Sequence, residues 1–372
     1  MDRKIPVAQP EIGREELRNV TQAVKSGWVS SKGEFINQFE KEFSDYVNTK
    51  FGVSTSNGTA ALHLALLALG IGKNDKVLVP SLTFIAAANS VNYTGATPVF
   101  IDSHPEYWCM DPSKIEEKID KHTKAIMVVH LYGHPCDMDP IMEISKAYDL
   151  PVIEDCAEAH GAEYRGRIVG SFGTISCFSF YGNKIITTGE GGMCLTNEEE
   201  LARKMRMLRD HGMNPKKKYW HEVVGFNYRM TNLQAALGVA QLKKIDKIIL
   251  KKRTLAHTYK TLLSNVPEFT PAPEMPWAKS VYWLYSVLVK RKRRDRLIKY
   301  LEKNGIESRP FFYPQHVMPP YKTSLTFPVA EKLSEEGLNL PSGSGLSKNE
   351  IEEIVRILGD FISHTSARYR ED

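Results

Sequence analysis

One lysine in the sequence has surroundings that could make it a nucleophile. Lys184 follows the aromatic, β-prone run FSFYGN and precedes the turn IITTGEGG. A lysine that is fixed at the end of a strand and partly removed from water can lose its proton and form a Schiff base with a carbonyl compound. The glycines would let a ligand approach the backbone, and Ser179 is close enough in sequence to reach a phosphate. A plain surface lysine is the alternative.

A carboxylate is predicted at the end of another strand. Asp155 closes the apolar run VIED, and Glu158 and His160 follow within a turn. A carboxylate in that place could keep a heteroaromatic nitrogen protonated by pairing with it. Acidic residues are common at strand ends, so this feature alone leaves a purely structural role open.

Two polar segments precede predicted helices. The first contains Ser56, Asn57, Gly58 and Thr59, and the second contains Asn227 and Arg229. Free backbone N–H groups and the helix dipole favour a phosphate at such a position, although ordinary helix capping explains the same residues. The first segment matches neither GxGxxG nor GxxxxGK[ST], so a Rossmann nucleotide site and a P-loop are not indicated.

The elements that carry these residues alternate along the chain. Short apolar runs such as DKVLVPS, KAIMVVHLYG and LPVIEDC are separated by helical patterns. This alternation predicts an α/β fold with a large, mostly parallel sheet and helices on both faces. Ligands of such sheets bind beyond the carboxyl ends of the strands. The polar segments described above fall at those ends.

The C-terminal part is predicted to form a second, smaller α/β domain. One continuous helix is predicted over residues 231–266, and a shorter one over the segment PSKIEEKID. We therefore predict a large domain over residues 1–248, including an N-terminal arm, and a small domain over residues 249–372. The length of 372 residues suits such a division.

Composition limits the possible partners. The formal net charge of +5 could help to attract an anionic substrate but is no signature of nucleic-acid binding. The five cysteines form no CxxC pair, so no metal site is predicted. No signal region and no membrane-length apolar stretch is present. We expect a cytoplasmic protein that binds neither nucleic acid nor a membrane.

Together these features describe one site with a phosphate cradle, an acid for a ring nitrogen and a Schiff-base lysine, which is what pyridoxal 5′-phosphate needs. The segments NGTAAL, VIEDCAEAHGA, FSFYGNKIITTGEGG and GFNYRMTNLQAALG occur in that order. This arrangement resembles the DegT/DnrJ/EryC1/StrS family of nucleotide-sugar aminotransferases. The resemblance implies the fold type I, aspartate aminotransferase-like architecture and a homodimer with two shared active sites.

The resemblance also implies roles for single residues. Lys184 would bond to the cofactor, Asp155 would pair with its ring nitrogen, and Phe84 would stack on the ring. Glu158 would lie beside the ring hydroxyl. The implied phosphate contacts come from the segment Ser56, Asn57, Gly58 and Thr59, from Ser179, and from Asn227 of the partner subunit.

Four segments, among them HLYGHPCDMDPI and ESRPFFYPQHVMPPY, resemble one branch of that family. This branch aminates GDP-4-keto-6-deoxymannose at C4, with L-glutamate as amino donor, and the resemblance implies a role in O-antigen lipopolysaccharide biosynthesis. The implied contacts to the nucleotide sugar are Trp28, Ser30, Arg229, Arg309 and His316.

Three other functions stay open on the sequence alone. The first is an aminotransferase for a different acceptor, such as another nucleotide-linked ketosugar, an 8-keto octulosonate or a small phosphorylated ketone. The second is a sugar dehydratase on the same scaffold, although such relatives carry histidine in place of Lys184. The third is a binding protein that has lost catalysis, which the intact Asp155, Lys184, Ser179 and Asn227 disfavour.

Overall fold

The computed structural model describes residues 4–290 and 293–367. In these residues the α-helices are α1 (Arg14–Lys25), α2 (Glu34–Val47), α3 (Gly58–Ala68), α4 (Ala86–Tyr93), α5 (Met138–Tyr148), α6 (Glu199–Arg209), α7 (Asn232–Leu242), α8 (Ile245–Leu263), α9 (Arg294–Lys303), α10 (Pro328–Glu336) and α11 (Lys348–Ala367). The strands are β1 (Phe51–Thr55), β2 (Lys76–Pro80), β3 (Thr97–Ile101), β4 (Thr123–Val129), β5 (Val152–Asp155), β6 (Glu163–Tyr164), β7 (Arg167–Ile168), β8 (Ile175–Ser179), β9 (Gly192–Thr196), β10 (Phe269–Pro271), β11 (Ala278–Lys279), β12 (Tyr285–Val289), β13 (Arg309–Pro310) and β14 (Gly337–Leu340).

Seven strands form the main sheet, in the order β1-β9-β8-β5-β4-β2-β3. The pairs β3–β2, β2–β4, β4–β5 and β5–β8 are parallel. Strand β9 runs antiparallel to both β8 and β1. The prediction of a large, mostly parallel sheet is therefore confirmed.

The central strands are apolar along most of their length because helices cover both faces of the sheet. Residues 125–129 of β4 and all of β8 are buried. Helix α3 is almost entirely apolar and is also buried on nearly all sides. Such an element packs in the interior, where it fixes the position of its own first turn.

A second sheet of four antiparallel strands follows in the order β10-β12-β14-β13. Its core includes side chains of α8, α9 and α11. Helix α8 contributes to two cores, since Ile245, Ile248 and Ile249 belong to the core of the main sheet while Tyr259 and Leu263 belong to the second. The domain boundary after residue 248 stays a prediction. A third sheet, β11-β6-β7, joins the later part of the chain to the earlier part.

Two predicted helices are wrong in detail. The continuous helix over 231–266 is split into α7 and α8, because Lys244 has the non-helical angles φ −119° and ψ 10°. The segment PSKIEEKID forms two short 3₁₀ turns at Pro112–Lys114 and Glu116–Lys118. Only Pro112 and Ile115 are buried there, so no apolar stripe stabilises a full helix.

No helix among the described residues is both long enough and apolar enough to span a membrane. The five cysteines are free thiols, and all are buried.

Candidate active site

A cavity of about 750 Å³ opens at the carboxyl ends of the main-sheet strands. Strands β5 and β8 are parallel neighbours, with Asp155 opposite Cys177. Their ends bring Asp155 and Ser179 to one edge of the sheet, where the loop after β8 carries Lys184. Lining residues that the sequence had singled out are Asn57, Gly58, Thr59, Phe84, Asp155, Glu158, Ser179, Lys184 and Arg309.

Lys184 lies in a loop that is held by its own hydrogen bonds. Its backbone N–H donates a hydrogen bond of 2.9 Å to the carbonyl of Tyr181. The backbone N–H of Thr188 donates a hydrogen bond of the same length to the carbonyl of Phe180. The ammonium Nζ lies 3.8 Å from the centroid of the Trp283 ring. Removal from water lowers the pKa of Lys184, against the attraction of Glu158 and Asp155. A lowered pKa suits a lysine that must react as a neutral amine.

Asp155 is buried at the last position of β5. Its Oδ1 accepts a hydrogen bond of 3.0 Å from the N–H of Ala157. Desolvation raises the pKa of Asp155, opposed by that hydrogen bond and by the positive charge of Lys184. A cationic ring nitrogen in the cavity would restore the ionised form of this carboxylate.

Glu158 is buried in the wall of the same cavity. Its Oε2 accepts a hydrogen bond of 2.7 Å from the N–H of Tyr132. Desolvation raises the pKa of Glu158 to about 7, although the charge of Lys184 and the Tyr132 hydrogen bond oppose it. Tyr132 adopts φ 52°, a left-handed conformation that an L-residue rarely adopts. Strained backbone of this kind is often found at functional sites.

The start of helix α3 forms a cradle for an anion. Asn57 caps the helix by accepting a 2.8 Å hydrogen bond from the N–H of Ala60. Gly58 approaches β8 so closely that a Cβ on it would lie 2.7 Å from the Cβ of Ser179. The Ser179 hydroxyl and the N–H groups of this helix turn therefore face one small space, which suits a phosphate.

The buried side chains of His130 and Glu154 contact each other but do not line this cavity. Nε2 of His130 lies 3.2 Å from Glu154, and both side chains are buried. Burial opposes ionisation of Glu154, but the contact with His130 and the N–H groups of Gly170 and Gly173 hold its pKa below the usual value. With Cys156, these side chains have the spacing of a metal site, but their hydrogen bonds already use the His130 and Glu154 donors and acceptors.

His160 follows Asp155 in the same turn, and in the part of the chain that the structure describes neither ring nitrogen has a partner in good hydrogen-bond geometry. It is buried against the rings of Phe43, Phe178 and Phe180. Desolvation, helped by the charge of Lys184, lowers its pKa to about 3. The backbone of Ser179 has only a minor effect, which favours the protonated form. The imidazole of His160 is therefore neutral at physiological pH and packs as part of this aromatic cluster.

Several predicted site residues do not line this cavity in the single chain: Trp28, Ser30, Ser56, Asn227, Arg229 and His316. Asn227 is exposed and accepts a hydrogen bond from Nε of Arg229 (2.9 Å), while Arg229 also pairs with Asp210 (2.7 Å). His316 is buried between Ser81 and Glu331, at 2.6 and 3.1 Å. The roles implied for these residues stay predictions.

Sequence reasoning missed several aromatic residues at the site. The N–H of Tyr132 donates the hydrogen bond to Glu158, and the missed aromatic residues that line the cavity are Tyr93, Tyr181, Tyr228, Trp283 and Phe312. The run YWLYSVLVK indicated only a strand, and no local pattern signals the left-handed conformation of Tyr132. Only the tertiary arrangement brings these residues to the cavity and the Trp283 ring to Lys184.

The residues present fit pyridoxal 5′-phosphate. A lysine with a lowered pKa, a buried acid at a strand end and a phosphate cradle share one cavity. The cradle has no room for a side chain at position 58, where the sequence has glycine. A cofactor with a phosphate at one end, an aldehyde and a basic ring nitrogen would satisfy all three groups.

Comparisons with known proteins agree with this arrangement. Residues 10–359 match the DegT/DnrJ/EryC1/StrS aminotransferase family. A GDP-perosamine synthase of Caulobacter vibrioides is 48% identical over 365 residues, which cover 96% of this chain and 98% of that protein. A GDP-perosamine synthase of Escherichia coli O157:H7 is 47% identical over 361 residues, covering 96% and 99%. The crystal structure of the aminotransferase TlmJ from Streptoalloteichus hindustanus has a TM-score of 0.93 at 30% identity and covers 97% of this chain and 100% of its own.

The fold and the site define an enzyme of the aminotransferase class. The chain belongs to the DegT/DnrJ/EryC1/StrS aminotransferase family. It is a pyridoxal 5′-phosphate-dependent aminotransferase with the fold of that family. The predictions of fold class, family, enzyme class and cofactor are confirmed.

Proposed function

We propose that this protein transfers the amino group of L-glutamate to C4 of GDP-4-keto-6-deoxymannose and forms GDP-perosamine. The observation that carries the transfer chemistry is the meeting of Lys184, Asp155 and the phosphate cradle in one cavity. The choice of acceptor is supported by three relatives named GDP-perosamine synthase, which are 48%, 47% and 42% identical over 96% of this chain.

When bound, the cofactor supplies an electron-withdrawing ring that accepts the electrons released at the amino donor's α carbon. Lys184 is the residue that moves protons. Its Nζ takes the α proton from the donor and later delivers a proton to C4 of the acceptor sugar. A neutral amine is needed for the first step, and desolvation of Lys184 favours that form.

Asp155 and Glu158 set the charge balance around the lysine. Asp155 would pair with the ring nitrogen and keep it protonated, and the burial of Asp155 would strengthen that pairing. Glu158 lies on the wall beside Lys184, with one oxygen fixed by Tyr132. Gly58, Thr59 and Ser179 would hold the phosphate of the cofactor, which would fix the position of the reacting atoms relative to Nζ.

We further propose a homodimer in which each site is completed by Asn227 of the other subunit. Asn227 is exposed and lies outside the cavity of its own chain. Large apolar side chains are exposed in the same loop and near the N-terminus: Trp28, Val29, Tyr219, Trp220, Val223 and Val224. Exposed apolar residues in such number are typical of a surface that a second subunit covers.

The reaction is proposed to occur in the cytoplasm and to supply a sugar for O-antigen lipopolysaccharide. Five buried, unpaired thiols suit a reducing compartment. The proposed role in O-antigen synthesis depends on the proposed product, perosamine, which is the sugar in the name of the similar enzymes.

A visible absorption spectrum tests the proposed transfer. Purified protein with added pyridoxal 5′-phosphate should show the absorption band of a lysine-bound cofactor, and L-glutamate should bleach it. GDP-4-keto-6-deoxymannose should then restore the band. Lys184→Ala should show no such band. If glutamate leaves the wild-type band untouched, the glutamate-dependent function is wrong. If another ketosugar restores the band and GDP-4-keto-6-deoxymannose does not, only the acceptor is wrong.

A further inference from the structure

Trp283 makes two contacts to the loop of the proposed catalytic lysine. The face of its indole ring lies 3.8 Å, measured to the ring centroid, from Nζ of Lys184. Its Nε1–H donates a hydrogen bond of 2.7 Å to the carbonyl of Asn183, the residue just before that lysine. One side chain therefore contacts both the reactive group and the backbone that carries it.

The indole ring is fixed by its own surroundings. Trp283 is 4% exposed, and the ring of Tyr132 stacks on it with an interplanar angle of 18°. Its backbone packs against Gly133, where an added Cβ would lie 2.9 Å from the N atom of Trp283. The N–H of Val281 also bonds to the carbonyl of Gly133 (3.0 Å). The ring is therefore preorganised and does not need to be ordered by a ligand.

Nζ of Lys184 has few other stabilising contacts. Among the described residues, no carboxylate forms an ion pair with it, although Asp155 and Glu158 line the same cavity and attract its charge. An ammonium over an indole face is attracted by the negative face of the ring, and tryptophan gives the strongest such contact of the aromatic residues. The contact favours the charged form of the lysine, whereas desolvation disfavours it.

We propose that Trp283 is a positioning residue that holds Lys184 by its indole face whenever the lysine is not bonded to the cofactor. The indole then keeps the freed Nζ at one place in the cavity that it shares with Asp155 and Glu158. The bond from Nε1 to Asn183 fixes the loop in the same orientation. This inference rests on the proposed role of Lys184 and adds a residue that recognises its uncondensed form.

The test measures how readily Lys184 in the full-length, cofactor-free protein is carbamylated by cyanate, which reacts with the neutral amine. Carbamylation is quantified on the peptide that contains Lys184. The rate at pH 7 is divided by the plateau rate at alkaline pH, so that changes of accessibility cancel. In Trp283→Leu the ratio should rise about fivefold, because loss of a contact of this kind favours the neutral amine by that factor.

Two further variants make the outcome decisive. Trp283→Phe keeps an aromatic face but a weaker one, so the ratio should rise about twofold; it serves as the test if the leucine variant does not fold. Trp277→Phe is the matched control, since Trp277 packs on Tyr107, His134 and Tyr164 instead and should leave the ratio unchanged.

An unchanged or lower ratio in both Trp283 variants overturns the inference, because the ring would then act only by excluding water or not at all. The outcome is independent of the proposed transfer. If glutamate fails to bleach the cofactor band but the ratio rises, the proposed function is wrong and the contact is real. If glutamate bleaches the band but the ratio is unchanged, the reverse holds.

Discussion

At the scale of single residues, the main feature of the site is a group of ionisable side chains that are buried together. Lys184, Asp155 and Glu158 share one cavity. Burial lowers the pKa of the lysine and raises the pKa of both carboxyl groups. Each group is thereby shifted toward its neutral form, which brings the pKa of the lysine closer to the pKa values of the two carboxyl groups than in water.

A first prediction concerns the stability of the cofactor-free protein. In the folded protein the pKa of Glu158 is raised to about 7, whereas its ordinary value is 4.5. Between these values the folded state binds more protons than the unfolded state, so the free energy of unfolding decreases as the pH rises. In Glu158→Gln this contribution is absent. We expect the free energy of unfolding of this variant to fall by about 1–3 kcal/mol less than that of the wild type between pH 5 and pH 7.5.

Urea unfolding at both pH values measures this difference. Glutamine can still accept the hydrogen bond from Tyr132 through its side-chain carbonyl, so the comparison isolates the charge. Glu106→Gln is the control, because Glu106 is exposed and should give the wild-type pH dependence. If Glu158→Gln also follows the wild type, Glu158 is ionised throughout this range in the folded protein.

Some of these residues could be predicted from the sequence, and others could not. Lys184 and Asp155 follow strands whose apolar runs are local signals, so their positions at one sheet edge follow from the parallel fold. Trp283 reaches Lys184 from about 100 residues further along the chain, and its contact depends on the packing at Gly133. No periodicity or spacing encodes such a contact.

At the scale of elements, the strand ends and the first turn of α3 form the site together. Strand β8 ends at Ser179 and α3 begins at Gly58, and their backbones meet at a distance that excludes any side chain on the glycine. The sequence pattern located both elements, but it did not show how closely they approach. It also missed the break between α7 and α8, because both helices are rich in good helix formers and only the local angles at Lys244 separate them.

A second prediction tests this close approach. In Gly58→Ala the new Cβ would lie 2.7 Å from the Cβ of Ser179, so the helix or the strand must shift. We expect a loss of about 1–3 kcal/mol in the free energy of unfolding and an affinity for pyridoxal 5′-phosphate that is lower by roughly tenfold or more, since the cradle is displaced. Urea unfolding and a titration with the cofactor measure the two effects.

The matched control for this change is Gly359→Ala, inside helix α11. A Cβ at Gly359 meets no atom within 4 Å, and alanine is the better helix former. This variant should gain about 0.5–1 kcal/mol in stability and bind the cofactor as the wild type does. If Gly58→Ala has wild-type stability and affinity, α3 and β8 can move apart without loss of stability or of cofactor binding, and the prediction is wrong.

At the scale of the whole molecule, parts of the chain that are distant in sequence complete the site. Arg309 and Phe312 come from the region of the second sheet and line the cavity of the first. The ring of Phe312 lies 5.7 Å from that of Phe84 at the cavity wall. Nucleotide-sugar binding is thus expected to depend on how the second sheet packs against the first, and the strand pair β6–β11 holds part of that junction.

The proposed homodimer leads to the last prediction, which uses two inactive variants. Lys184→Ala removes the proposed catalytic amine, and Asn227→Asp places a negative charge beside the proposed phosphate of the partner's site. If each site takes Lys184 from one subunit and Asn227 from the other, a hybrid dimer holds one intact site and one doubly defective site. Equal mixing with random reassociation should restore about a quarter of the wild-type activity.

The separate variants should each stay inactive in the same assay, and mixing without subunit exchange should restore nothing. A mixture of Lys184→Ala with Asp155→Asn is the control, because both residues line the same cavity of one chain and a hybrid dimer would then contain no intact site. Recovery in the control mixture, or none in the Asn227 mixture after proven exchange, would mean that Asn227 does not act across the interface. Asn227 would then have only a structural role within its own chain, where it contacts Arg229 and Asp210.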